Sequence, residues 1–158
     1  EALRLTQQGL SKNPFDTRLL LLASQLSYEL HDEQKAEDYL LKAKDNAEDL
    51  EEIALRLSNL YLEQERFDEV LKFEEQDIDN VLTKWNIARA YQALEQTTAA
   101  LEQYRLLLSD LKENPEFLEQ YIYLLREMGD FEEAKHQAEH YLHLVPDDVE
   151  MQELYDSL

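Results

Sequence analysis

Three histidines, His136, His140 and His143, stand at i, i+4 and i+7 of the helix-forming stretch "EAKHQAEHYLHL". That spacing can gather imidazoles around a divalent cation. The helical wheel puts the stripe opposite Phe131, Ala134, Ala138 and Tyr141, on a solvent face without the enclosing partners of a structural zinc site. No metal is therefore assigned; the stripe stands as a weak candidate metal site, with adventitious zinc or nickel binding the plainer reading and a metal-responsive module a third alternative for the chain's function. His31 reads as a turn residue. With Gly9 and Gly129 as its two glycines the chain cannot build a phosphate-cradling loop, and with no cysteine and scattered serines it shows no nucleophile beside a base. The acid pairs Glu51/Glu52, Glu74/Glu75 and Glu132/Glu133 point about 100° apart on helices and read as solvated faces rather than as an acid and a base. Neither an enzyme nor a cofactor is expected.

Charge narrows the partners. Against 15 Lys+Arg stand 36 Asp+Glu, a formal net charge of -21, so the long-range field repels phosphate backbones and anionic lipid headgroups. A protein or peptide partner is expected, with no nucleic acid and no membrane. No apolar run approaches eighteen residues, and the cysteine-free composition fits a reducing cytoplasm.

The elements that must position any functional residue are helices. Two glycines and three prolines among 158 residues, with abundant Leu, Glu, Ala, Gln, Lys and Arg, favour helix almost everywhere. Apolar periodicity predicts ten helices, at about 1–12, 15–30, 33–46, 48–63, 67–78, 81–94, 97–112, 115–128, 131–144 and 148–157. Small or β-branched residues recur at Ala2, Ala36, Val70, Ala100 and Ala134, at spacings of 34, 34, 30 and 34. The clearest copy is "YLLREMGDFEEAKHQAEHYLHLVP", in which Gly129 can end one helix, Asp130 can cap the next and Ala134 lets the two approach closely.

This pattern resembles the tetratricopeptide repeat (TPR) family, whose unit is a 34-residue helix–turn–helix. The resemblance rests on Gly129, Phe131, Ala134, Ala138 and Pro146 in the last complete unit, and on Ile87, Ala88, Tyr91, Ala100 and Tyr104 before it. Earlier units supply Leu57, Tyr61, Phe67 and Val70, then Ala23, Ala36, Leu40 and Ala43. It departs from the family at Ser27, where an aromatic is usual, and at three of four hinges that lack glycine. It implies an all-α, right-handed solenoid of antiparallel helix pairs. The second helix of a partial repeat would occupy 1–16, repeats 17–50, 51–80, 81–114 and 115–148, and a capping helix 149–158. The chain is expected to be the carboxy-terminal part of a longer bacterial array. Between Val70 and Ala100 a repeat is four residues, about one helical turn, short. The missing turn must come from "LKFEEQDIDNVLTKW", just before Trp85.

In TPR proteins the face opposite the buried stripe of each first helix lines a groove. Carried over by register, that face holds Arg18, Gln25, Leu55, Arg56, Asn59, Leu62, Trp85, Asn86, Arg89, Tyr123 and Arg126, with Tyr28 and Glu63 beside them. Arginine forks suit carboxylates, and Leu55, Tyr123 and Trp85 would supply apolar anchors, so the implied ligand is a peptide or partner helix carrying acidic residues. A plainer reading pairs the arginines with Glu52, Glu63 or Glu116 as a solvated inner face. Trp85 is open between groove and core, lying roughly 110° from the centre of the buried stripe and one residue past the family's usual tryptophan slot. The lysine columns of the chaperone-tail subclass hold Leu21, Leu55, Trp85 and Glu119, so that clamp is not expected. A structural alternative has the chain self-associate as a homodimer through its N-terminal face, or take its own last helix, "DDVEMQELYDSL", into the groove.

Overall fold

The computed structural model describes all 158 residues. Ten helices follow one another: α1 (Ala2–Lys12), α2 (Thr17–Glu29), α3 (Glu33–Lys44), α4 (Glu51–Glu63), α5 (Phe67–Leu71), α6 (Val81–Ala93), α7 (Thr97–Leu111), α8 (Pro115–Glu127), α9 (Phe131–Leu144) and α10 (Val149–Ser157). No strand interrupts them, and no helix is long and apolar enough to cross a membrane. The chain forms two compact units, Glu1–Asn86 and Ile87–Leu158, whose boundary falls within α6.

Short polar side chains set the helix starts. Asp16, Asp32, Asn114 and Asp148 each accept a hydrogen bond from the amide three residues on, at 3.1, 3.3, 3.2 and 2.9 Å, satisfying a donor that the first helical turn leaves unpaired. Asp130 departs from expectation. It precedes α9, but its carboxylate receives Arg105 Nη2 at 3.0 Å instead of capping the helix.

The four hinges close alike. At His31, Glu65, Glu95 and Gly129 the backbone turns left-handed, with φ of 60°, 57°, 58° and 77°. In each the next residue's amide reaches back to a helix carbonyl: Asp32 to Ser27 (2.9 Å), Arg66 to Tyr61 (2.8 Å), Gln96 to Tyr91 (2.9 Å) and Asp130 to Leu125 (2.9 Å). This is the Schellman closure. It forms with or without glycine, because the orphan carbonyls of the first helix need donors whatever the residue type.

In Glu1–Asn86, α2 packs on α1 and α3, and α4 on α3 and α5. Gly9 lets α1 approach closely, since a Cβ there would stand 2.8 Å from Leu19 Cδ1. Leu20, Ala23, Ala36, Leu40, Ile53, Leu57 and Val70 form the core. In Ile87–Leu158 the core centres on three rings: Tyr104 and Tyr121 stack with centroids 5.9 Å apart, and Phe117 lies 5.3 Å from Tyr104. Such pairs add about 0.5–1.5 kcal/mol each beyond the area they bury. Of the recurring small residues, Ala36, Val70, Ala100 and Ala134 are buried, while Ala2, at the start of α1, is exposed. Phe131 is 53% exposed, because the first residue of α9 stands outside the stripe that Ala134, Ala138 and Tyr141 bury.

The short repeat loses its turn from the second helix. Residues 67–78 were expected to be helical, yet α5 ends at Leu71 and the chain turns through 72–76. Two tertiary interactions outweigh the helix propensity of "LKFEEQ". Phe73 and Ile78 are buried, and the Glu51 carboxylate accepts both the Asp79 and Asn80 amides, at 2.8 and 2.7 Å. Asn80 then caps α6 by accepting from the Leu82 and Thr83 amides at 3.0 and 3.1 Å. Glu51 is thus a loop clamp rather than a solvated charge.

The last helix does not enter a groove. α10 packs on α9, with Met151 and Leu154 buried, and Tyr141 donates to Asp148 at 2.8 Å.

Candidate functional site

A concavity of the Glu1–Asn86 unit lies among α2, α3 and α4 and measures about 400 Å³. Ser24 and Ala36 are small, and Ser24 Oγ donates to the Ala36 carbonyl at 3.0 Å, so the two helices meet closely and leave room above them. Leu40 and Leu60 complete an apolar floor. The rim is polar. Tyr28 of α2 donates to Glu63 of α4 at 2.7 Å, and that bond, with desolvation and the neighbouring charges of Glu63 and Glu33, pushes the phenol above its ordinary pKa. Gln25 donates to Glu29 at 3.1 Å. Arg56 is held by Glu52 at 2.6 Å and by the Leu21 carbonyl at 3.3 Å.

Gln25, Arg56 and Asn59 of the expected groove line this cavity, with Tyr28 and Glu63. Leu55 and Leu62 are half-buried, and Arg18 is exposed on the same helix as Gln25. In the Ile87–Leu158 unit Arg89 is half-buried, Tyr123 is 38% exposed and Arg126 is exposed. Two assignments are corrected. Trp85 is only 7% exposed and is a core residue, so it offers no anchor area; Lys84 reaches outward to Asp79 at 2.6 Å. Asn86 is 3% exposed, and its amide donates to Ser58 Oγ at 2.9 Å and Asn59 Oδ1 at 2.6 Å, a buried tie between α6 and α4. The wheel missed both because α6 is buried almost all round, leaving Leu82 and Ala93 outermost.

Sequence reasoning places Ala36 and Leu40 in the repeat framework and does not single out Ser24 or Leu60. The signal was size: two small residues facing each other across a helix pair open space beside them. The histidine stripe does not converge, and no group of three or more His, Cys, Asp and Glu stands close enough to hold a metal. His140 instead places Nε2 2.9 Å from the Lys112 carbonyl.

Paired antiparallel helices, left-handed hinges and buried small residues recurring with the repeat define an all-α protein of helix–turn–helix repeats, the fold of tetratricopeptide-repeat proteins. Residues 82–148 match YpiA-like, C-terminal tetratricopeptide repeats. The fold is similar to that of YrrB, described as a TPR protein with an unusual peptide-binding site: TM-score 0.79 at 17% identity, over 92% of this chain and 77% of that one. It is also similar to TTC0263, a TPR protein of Thermus thermophilus (0.65, 19%, over 98% and 87%), and to PilW, a type IV pilus biogenesis factor (0.62, 16%, over 89% and 67%). No curated protein matches the chain.

Proposed function

We propose that the protein is a non-enzymatic interaction module that holds a peptide segment or helix of a partner protein, and that in the Glu1–Asn86 unit the partner seats an apolar stem in the cavity among α2, α3 and α4. The carrying observation is that cavity: about 400 Å³, apolar below and polar at the rim. Sites of this kind fix orientation with a few polar groups and draw affinity from apolar contact. Gln25, Asn59, Tyr28 and Glu63 are the orienting groups. In the Ile87–Leu158 unit the same reading assigns contacts to Arg89, Tyr123 and Arg126. The peptide-binding site of YrrB, a protein of the same fold, supports the reading.

The test plugs the cavity from its rim. Gln25 is exposed, so Gln25→Trp fills the mouth without touching the core. Proteins captured from a native lysate by the intact chain are expected to be lost with Gln25→Trp at unchanged helicity. The same proteins retained by both chains would rule the cavity out.

A further inference from the structure

We infer that the α2–α4 cavity accepts the side chain of a lysine or arginine from a basic segment of the partner, an assignment that rests on the interaction reading above and gives it a chemistry. The sequence pointed the other way, to acidic ligands met by arginines. Side-chain placement reverses the sign. The charged groups on the cavity lining or bonded to it are Glu63 on the rim, Glu29 on Gln25, and Glu52 with Arg56. Three carboxylates thus stand against one guanidinium. Arg56 is already paired with Glu52 at 2.6 Å, so a ligand carboxylate using its remaining N–H groups would have to stand among the carboxylates of this rim.

A cationic side chain meets the opposite situation at each level of the cavity. Its methylene stem lies along Ala36, Leu40 and Leu60, as long charged side chains do when the head can reach a polar rim. The head then meets Glu63 on the rim, whose Oε2 accepts from Tyr28 at 2.7 Å and whose carboxylate keeps acceptor capacity for a charge-assisted bond. Tyr28, 45% exposed, adds a ring face. Asn59 brings a neutral carbonyl acceptor and Gln25 an adaptable amide, neither of which opposes a cation. A volume of about 400 Å³ lies near the low end of the roughly 300–1,000 Å³ of ligand sites, a size for one long side chain and its flanks.

The experiment must separate this pocket from the general attraction of a chain of net charge -21 for anything basic. A random dodecapeptide library displayed on phage is selected against the full chain at physiological salt, where charges beyond about 8 Å are largely screened. Affinities of the enriched peptides are then compared for wild type, Glu63→Gln, Glu153→Gln and Gln25→Trp. Glu63→Gln and Glu153→Gln remove the same formal charge, one at the pocket and one on exposed α10, and the glutamine amide oxygen can still accept from Tyr28. The expected result is enrichment of peptides with a lysine or arginine beside apolar residues. Their affinity should fall about tenfold or more in Glu63→Gln, stay within about twofold in Glu153→Gln, and vanish in Gln25→Trp. Basic peptides weakened equally by the two glutamine variants, or by neither, overturn the assignment as diffuse attraction. Acid-bearing or wholly apolar peptides that depend on an open cavity overturn the cationic assignment and leave the interaction reading standing. Peptides indifferent to Gln25→Trp overturn both.

Discussion

The hinge residues make the repeat grammar measurable. Glu65 and Glu95 hold φ of 57° and 58°, and Gly129 holds 77° in the equivalent place. A residue with a Cβ loses roughly 1–2 kcal/mol in the left-handed region, while glycine returns about 0.4–1 kcal/mol through the extra freedom of its unfolded chain. Glu65→Gly and Glu95→Gly should therefore each stabilise the protein by about 0.5–1 kcal/mol, and Gly129→Ala should destabilise it by about as much. At Gly129 the strain acts alone, because an added Cβ would meet nothing within 4 Å. Removing a carboxylate from a helix C-terminus also helps, by about 0.3–1 kcal/mol at low salt. Glu65→Gln supplies that control, since it drops the charge and keeps the strain. The assay is urea denaturation at moderate salt, followed both by helix circular dichroism and by the fluorescence of Trp85, which reports on the Glu1–Asn86 unit. Two probes are needed because repeat proteins can unfold in parts. Glu65→Gly should raise the fluorescence midpoint above that of Glu65→Gln, and Gly129→Ala should lower the dichroism midpoint. A Glu65→Gly protein no more stable than Glu65→Gln would refute the strain argument.

Two further outcomes are expected. Ser27 Oγ and Thr83 Oγ1 are buried without hydrogen-bond partners, so Ser27→Ala and Thr83→Val should be neutral or stabilising by up to about 1 kcal/mol in the same denaturation assay, in contrast to the usual loss on core truncation. Burial, reinforced by Glu37 at Tyr61 and by the bond to Asp148 at Tyr141, pushes both phenols up to about 12. Between pH 10 and about 12 the unfolded chain therefore releases protons that the folded chain keeps, and stability falls as pH rises. Tyr61→Phe and Tyr141→Phe should each flatten that fall, and each should remove one late-titrating tyrosine from the phenolate absorbance of the folded protein.

The amino-acid sequence alone determined that the chain is helical, where most of its helices begin, and the spacing at which small residues admit neighbouring helices. Those properties are local or periodic: capping side chains act within three residues, and Ala36, Val70, Ala100 and Ala134 declare themselves by recurrence. It also located the missing turn within residues 71–85. Only the tertiary structure decided what replaces that turn, because Glu51 binds the Asp79 and Asn80 amides across 28 and 29 residues, respectively, and no local preference of "LKFEEQ" records such a contact. The same holds for the candidate site. A helical wheel could bring Gln25, Arg56 and Asn59 to one face, but whether an arginine is available depends on its neighbours. Arg56 is committed to Glu52 and to a carbonyl 35 residues away, and Trp85, open to either side by periodicity, went to the core. Burial and charge pairing are sums over every element that packs around a residue, and those sums exist only once the helices have met.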